Sequence, residues 1–178
     1  MNLPNKLSLT RALMIPVMVV LMYAGNRACM ILAAAVFGAA AYTDYLDGHI
    51  ARKEHLVTDF GKFIDPVADK LLNLSAMVML TRAGLMPHWI VIVILARELC
   101  VDGLRMVAVG QGRVIAAGML GKIKTVSQIV LVLWLLLSGL PVGGNIISTL
   151  AAAWVVLITL WSGVEYFVKN RDCVKNVK

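Results

Sequence analysis

Apolar residues run along this chain in long blocks separated by short polar or turn-forming stretches. The blocks cover residues 12–24, 28–51, 66–82, 88–109, 120–138 and 145–168. About 20 apolar residues cross a hydrocarbon core of roughly 30 Å, so the pattern predicts five or six membrane-spanning helices. Runs of this length exceed the strands of a globular sheet, and none is predicted. The first block is short for a full span. It is completed by helix through Ser8 and Arg11, with residues 2–7 lying at the interface as a short amphipathic lead-in. A cleaved signal peptide competes for this N-terminus, but Ala24 to Ala28 equally suits a turn into a second span. Gly84 to Pro87 and Gly139 to Gly144 punctuate later blocks, and small residues crowd the stretch from Ala33 to Ala41, where they let helices approach closely in lipid. The expected fold class is all-α: a polytopic membrane protein of six transmembrane helices with a short N-terminal interfacial helix. Residues 1–178 form a single domain, with no internal repeat or linker.

Composition agrees with that class. Hydrophobic residues make up 60% of the chain and charged residues 15%, with a mean hydropathy of +0.83, more apolar surface than a soluble core of this size can hide. The net charge of +7 follows from topology. One side receives Lys6, Arg11, Arg52, Lys53, Lys62, Arg113, Lys122, Lys124 and the basic tail, while the opposite turns hold Arg27 and Arg82. The positive-inside rule makes the first side cytoplasmic, with both termini. Contact with anionic lipid heads accounts for the basic excess, and nucleic-acid binding is not indicated. Cys29, Cys100 and Cys173 have no paired spacing and read as free thiols. The tryptophans read as lipid-facing or interfacial anchors, and the ten methionines as adaptable packing.

Against this background four carboxylates stand out. Each charge inside a membrane segment costs roughly 2.5 to 3.5 kcal/mol on insertion scales. Asp44 and Asp47 are three residues apart, and Gly48 and Ala51 continue the same helical stripe, leaving space beside charge for a bulky phosphate-bearing ligand. Asp65 and Asp69 are four apart at the start of the third block, with Pro66 suited to a first helical turn. The short connection from Lys53 to Gly61 makes the two helices adjacent and antiparallel, their acidic ends at one membrane face. Four converging carboxylates repel unless cations neutralise them, and hard oxygen ligands favour Mg²⁺ or Mn²⁺. Two such ions roughly 3.5 to 4 Å apart clamp phosphate oxygens, which suggests phosphoryl transfer. Salt bridges to Arg52, Lys53, Lys62 and Lys70 account for a single aspartate better than for the whole constellation. A cation conductor is a further alternative, opposed by the lack of ionisable residues in the far halves of the spans. His49 lies about 160° around the helix from Asp47, which removes it from the acidic face.

The run Asp44-x2-Asp47-Gly48-x2-Ala51-Arg52-x8-Gly61-x3-Asp65-x3-Asp69 resembles the signature of the CDP-alcohol phosphatidyltransferases, with every fixed position filled. The resemblance implies a six-helix membrane enzyme, usually a homodimer, that moves a phosphatidyl group from CDP-diacylglycerol to an alcohol and releases CMP. It implies two divalent cations, Mg²⁺ or Mn²⁺: Asp44, Asp47 and Asp65 would hold one, and Asp44, Asp65 and Asp69 the other. Asp69 would also be the general base. Gly48, Ala51, Arg52 and Gly61 would serve the nucleotide, joined by Thr58, Asn5 and Ser8.

Charges elsewhere in the spans bear on the acceptor. Arg97 and Arg105 are eight residues apart on the fourth block, roughly on one face, and Lys122 and Lys124 open the fifth. Several cations fit an acceptor that itself carries a phosphate. Ion pairing of Arg97 or Arg105 with Glu98, Asp102 or Glu165 is the competing reading. The elements Ala96-Arg97-Glu98, Gly103-Leu104-Arg105, Gly121-Lys122-x-Lys124-Thr125 and Ser162-Gly163-Val164-Glu165-Tyr166 resemble the phosphatidylglycerophosphate synthase subfamily. That resemblance implies sn-glycerol 3-phosphate as acceptor, in a bacterial cytoplasmic membrane. A sister transferase using phosphatidylglycerol or an inositol phosphate is the alternative.

Overall fold

A computed structural model describes the backbone of residues 3–53, 59–113, 115 and 118–175, and the side chains of residues 10–43, 67–113, 115 and 118–173. The described residues form helices α1 (Leu3–Ala24), α2 (Arg27–Lys53), α3 (Asp59–Arg82), α4 (His88–Gly110), α5 (Met119–Ser138), α6 (Ile146–Lys169) and the short α7 (Arg171–Lys175). Among them no strand occurs beyond an isolated bridge between Val142 and Asn145.

The helix ends follow from local chemistry. Asn26 caps α2, its Oδ1 accepting from the Cys29 amide at 2.8 Å, and Asn145 caps α6 by accepting from Ile147 and Ser148 at 2.9 and 3.2 Å. Each cap satisfies amides that the first helical turn leaves without partners. After α3, Leu85 N donates to Leu80 O at 3.0 Å and Gly84 N to Thr81 O at 3.1 Å, which closes the orphan carbonyls of the last turn. At the end of α5, Gly139 adopts φ +66° and a Cβ there would lie 2.8 Å from Arg27 Nη1. That guanidinium donates to the Leu136 carbonyl at 3.3 Å and also to Leu137. Glycine is favoured there by its dihedral, and a Cβ would only push the tip of the arginine side chain aside.

Two expectations are corrected. The N-terminal lead-in is not a separate helix, because α1 runs unbroken from Leu3 with Pro16 inside it. The third helix begins at Asp59, so Pro66 sits in its interior instead of its first turn.

The chain divides into two compact units. The first comprises residues 1–86 and 132–141: α1, α2, α3 and the C-terminal part of α5. Here α1 packs on both α2 and α3, and α2 packs on α3. Ala33, Phe37 and Ala40 share the buried face of α2, with Met18 and Met22 of α1 and Met77 and Leu80 of α3 also in the core. Ala33 and Ala40 are fully buried, as small residues at a helix contact are expected to be, whereas a Cβ added at Gly38 would meet Leu133 only at an ordinary 3.7 Å.

The second unit comprises residues 87–131 and 142–178, in which α4 packs on α6 and α7. Its α6 reverses the soluble pattern. Ile147, Leu150, Trp154, Leu157, Trp161, Val164 and Val168 form an exposed stripe, while Ser148, Thr159 and Ser162 are buried on the opposite face. Thr159 accepts from Gln128 of α5 at 3.5 Å. Polar groups turned inward and large apolar groups turned outward are what a hydrocarbon solvent selects. Among the described residues, α5 and α6 are long and apolar enough to cross a membrane, and Thr10–Ala24 and Arg27–Thr43 form shorter apolar helical stretches. With these apolar helices, the inverted α6 marks a membrane protein.

Candidate active site

The acidic constellation is carried by two helices of the first unit. Asp44, Asp47, Gly48, Ala51 and Arg52 all lie on the helical backbone of α2, and Gly61, Asp65 and Asp69 on that of α3. Continuous helix fixes the three-residue and four-residue spacings as one face each, and α2 and α3 pack on one another. Thr58 lies outside the described residues. So do the side chains of Asp44, Asp47, Gly48, Ala51, Arg52, Gly61 and Asp65, and those of Asn5 and Ser8, whose backbones are helical in α1. Asp69 is half-buried.

One turn deeper, α3 presents a residue the sequence pattern did not single out. Asn73 is four residues beyond Asp69 and eight beyond Asp65, on the same stripe, and it is buried with no hydrogen-bond partner for Oδ1 among the described residues. An unpaired buried amide oxygen is costly in an apolar setting. Below it the stripe turns apolar at Ala76, Met77 and Leu80.

A divalent cation fits this donor set. Two pairs of carboxylates on adjoining helices supply hard oxygen atoms, and cations relieve the repulsion that would otherwise protonate them. Among the described residues no three His, Cys, Asp or Glu side chains come together. Three of the four acids lie outside that set.

The four cations expected at the acceptor belong to the second unit, and the structure gives them separate surroundings. Lys124 of α5 is buried and forms an ion pair and hydrogen bond with Glu98 of α4. Arg97 joins the same carboxylate, its Nη1 3.6 Å from Glu98 Oε1. The stem of Arg97 passes over Gly163 of α6, where a Cβ would lie 3.2 Å from Arg97 Cγ, and Arg97 Nε is buried with no hydrogen-bond partner among the described residues. Arg105, further along α4, donates from Nε to the Tyr166 hydroxyl at 2.9 Å, its guanidinium carbon 5.5 Å from the centre of that ring. Lys122 is exposed on the first turn of α5. Ion pairing therefore holds for Arg97 with Glu98, whereas Glu165 pairs with Lys169 on its own helix.

Tyr166 is itself held in place. It is buried with Val101, Leu104 and Ala108 of α4 and Cys173 of α7, and Ile115 packs against the group. Its carbonyl accepts from Asn170 Nδ2 at 2.7 Å, and Gln111 Nε2 ties the end of α4 to the Cys173 carbonyl at 2.9 Å. Sequence spacing does not reveal Glu98 as the partner of Lys124 or Tyr166 as the partner of Arg105, because these contacts span 26 and 61 residues.

Residues 1–163 match the CDP-alcohol phosphatidyltransferase family profile. The chain is 46% identical over 190 aligned residues to a Bacillus subtilis protein named CDP-diacylglycerol--glycerol-3-phosphate 3-phosphatidyltransferase, covering 98% of this chain and 97% of the relative. It is 38% identical to a Mycobacterium tuberculosis protein named probable phosphatidylglycerophosphate synthase, with 94% of this chain and 81% of that one covered. A Salmonella choleraesuis protein with the same name as the Bacillus one is 35% identical, covering 96% and 95%. With the family profile spanning both units and relatives similar from end to end, the chain belongs to the CDP-alcohol phosphatidyltransferase family.

Proposed function

We propose that this protein transfers the phosphatidyl group of CDP-diacylglycerol to sn-glycerol 3-phosphate, yielding phosphatidylglycerophosphate and CMP. The observation that carries this reading is the 46% identity, across 98% of the chain, to a relative named for that reaction. The intact acidic pattern on α2 and α3 supports it.

Members of the family use divalent cations. In the proposed site, Asp44, Asp47 and Asp65 hold one Mg²⁺ or Mn²⁺ ion, and Asp44, Asp65 and Asp69 a second. When bound, such ions draw charge from the pyrophosphate and favour its cleavage. The chain's own groups do the rest. Asp69 accepts the proton of the primary hydroxyl of glycerol 3-phosphate as its oxygen bonds to the phosphorus that carries diacylglycerol, and the bond from that phosphorus to CMP breaks. Gly48, Ala51 and Gly61 leave room for the nucleotide, Arg52 meets its phosphates, and Thr58, Asn5 and Ser8 contribute further polar contacts. Arg97, Arg105, Lys122 and Lys124 provide for the acceptor's own phosphate.

Both units act as one catalytic domain over residues 1–178. Six helices span a bacterial cytoplasmic membrane, with both termini and the acids on the cytoplasmic side, and the enzyme works as a homodimer. Purified protein given CDP-diacylglycerol, Mg²⁺ and labelled glycerol 3-phosphate is expected to form labelled phosphatidylglycerophosphate, with unlabelled glycerol 3-phosphate competing. Competition by an inositol phosphate or phosphatidylglycerol alone would contradict the assignment of the acceptor.

A further inference from the structure

We infer that Tyr166 is a positioning residue that sets the acceptor specificity of the enzyme by locking the guanidinium of Arg105 in an orientation suited to a phosphate monoester. The inference rests on the proposed acceptor site and goes further by naming what makes one of its cations selective.

Arg97 and Lys124 share the carboxylate of Glu98. Their charge is therefore partly neutralised before any ligand arrives. Arg105 differs, since no carboxylate pairs with it among the described residues, and its contacts there are those with Tyr166. A guanidinium offers five N–H donors in a planar fork. The hydroxyl of Tyr166 takes the Nε–H at 2.9 Å, which leaves the two terminal nitrogens to act as a pair. Two parallel N–H donors match two oxygens of a phosphate and fit a neutral hydroxyl poorly.

The lock is built from rigid parts. Tyr166 is buried in the α4–α6–α7 cluster with Val101 and Ala108, about one turn either side of Arg105, and with Leu104 next to it in the chain. Asn170 fastens the end of α6 by donating to the Tyr166 carbonyl. Arg105 itself is only half-buried, so its fork stays reachable. An arginine without this partner would sample many rotamers and present its two donors together only part of the time.

The test is a double-mutant cycle on the full-length protein, with KM and kcat measured separately for glycerol 3-phosphate and for CDP-diacylglycerol. Tyr166→Phe keeps the buried ring and removes the hydroxyl. It is expected to raise the KM for glycerol 3-phosphate about tenfold, the scale of one hydrogen bond to a charged group, while the KM for CDP-diacylglycerol stays the same. Arg105→Ala is expected to raise the same KM further, and the double variant to equal Arg105→Ala alone. Should Arg105→Ala raise that KM while Tyr166→Phe does not, the positioning role is overturned and the acceptor site stands. Additive effects in the double variant overturn it as well, since Tyr166 would then act apart from Arg105. If Arg105→Ala leaves the KM for glycerol 3-phosphate unaltered, the assignment of Arg105 to the acceptor falls and the inference falls with it. A general loss of packing would instead raise both KM values together and would also contradict the proposal.

Discussion

In the first unit, Asp44 and Asp47 stand three residues apart on α2, and Asp65 and Asp69 four apart on α3. In the second, Lys124 meets Glu98 across 26 residues and Arg105 meets Tyr166 across 61. Each pair of acids is grouped by helical periodicity, whereas Lys124 and Arg105 are defined by partners that only the tertiary fold supplies. A ligand set of one residue type at fixed spacing withstands changes in surrounding packing. A set of cations in an apolar protein does not, because each buried charge needs a counter-group whose loss is felt at once.

Substitutions in each region should therefore fail in different ways. Asp69→Asn is expected to lower kcat by about 10² to 10⁴, the range of a lost general base, while the thermal midpoint in detergent stays near that of the parent. A large drop in that midpoint would show that the acid supports the fold, and the contrast between the two regions would be lost. Glu98→Ala should do the opposite and destabilise the protein by about 3 to 5 kcal/mol, since it leaves the buried Lys124 without its carboxylate. Glu98→Gln, which retains a hydrogen-bond acceptor, should be milder. A denaturation series on the two variants checks the order, and equal midpoints would mean that the pair does not hold α4 to α5. Gly163→Ala should have the smallest effect, about 1 kcal/mol, because its Cβ at 3.2 Å from Arg97 Cγ requires only that the side chain shift. A calorimetric scan with no change would show that the arginine stem yields freely.

The same contrast explains what the sequence made legible. Helix positions followed from block length, so α2 and α4 to α6 lie within a few residues of the expected spans. The starts of α1 and α3 did not, since residues 2–7 read as a separate lead-in and Pro66 as a first-turn residue, yet both segments are carried inside longer helices. Local propensity places proline early in a helix, but packing of α1 against both its neighbours overrides it. At the site, the acidic face was readable because four residues obey one period. Asn73 was passed over although it continues that period, since asparagine in an apolar block carries no charge to draw attention. Glu98 was visible only as one candidate counter-ion among several, and Tyr166 only as part of a resemblance. No spacing rule links a residue on α4 to one on α6.

The central claim is that acids and cations together run one phosphoryl transfer, and the most direct test is CMP release by the purified protein from CDP-diacylglycerol as glycerol 3-phosphate is added. The account predicts release that rises to saturation with the acceptor, stops when the divalent cation is chelated, and returns when Mg²⁺ or Mn²⁺ is restored. Release that is absent under these conditions, or that proceeds unchanged without acceptor or metal, would contradict it.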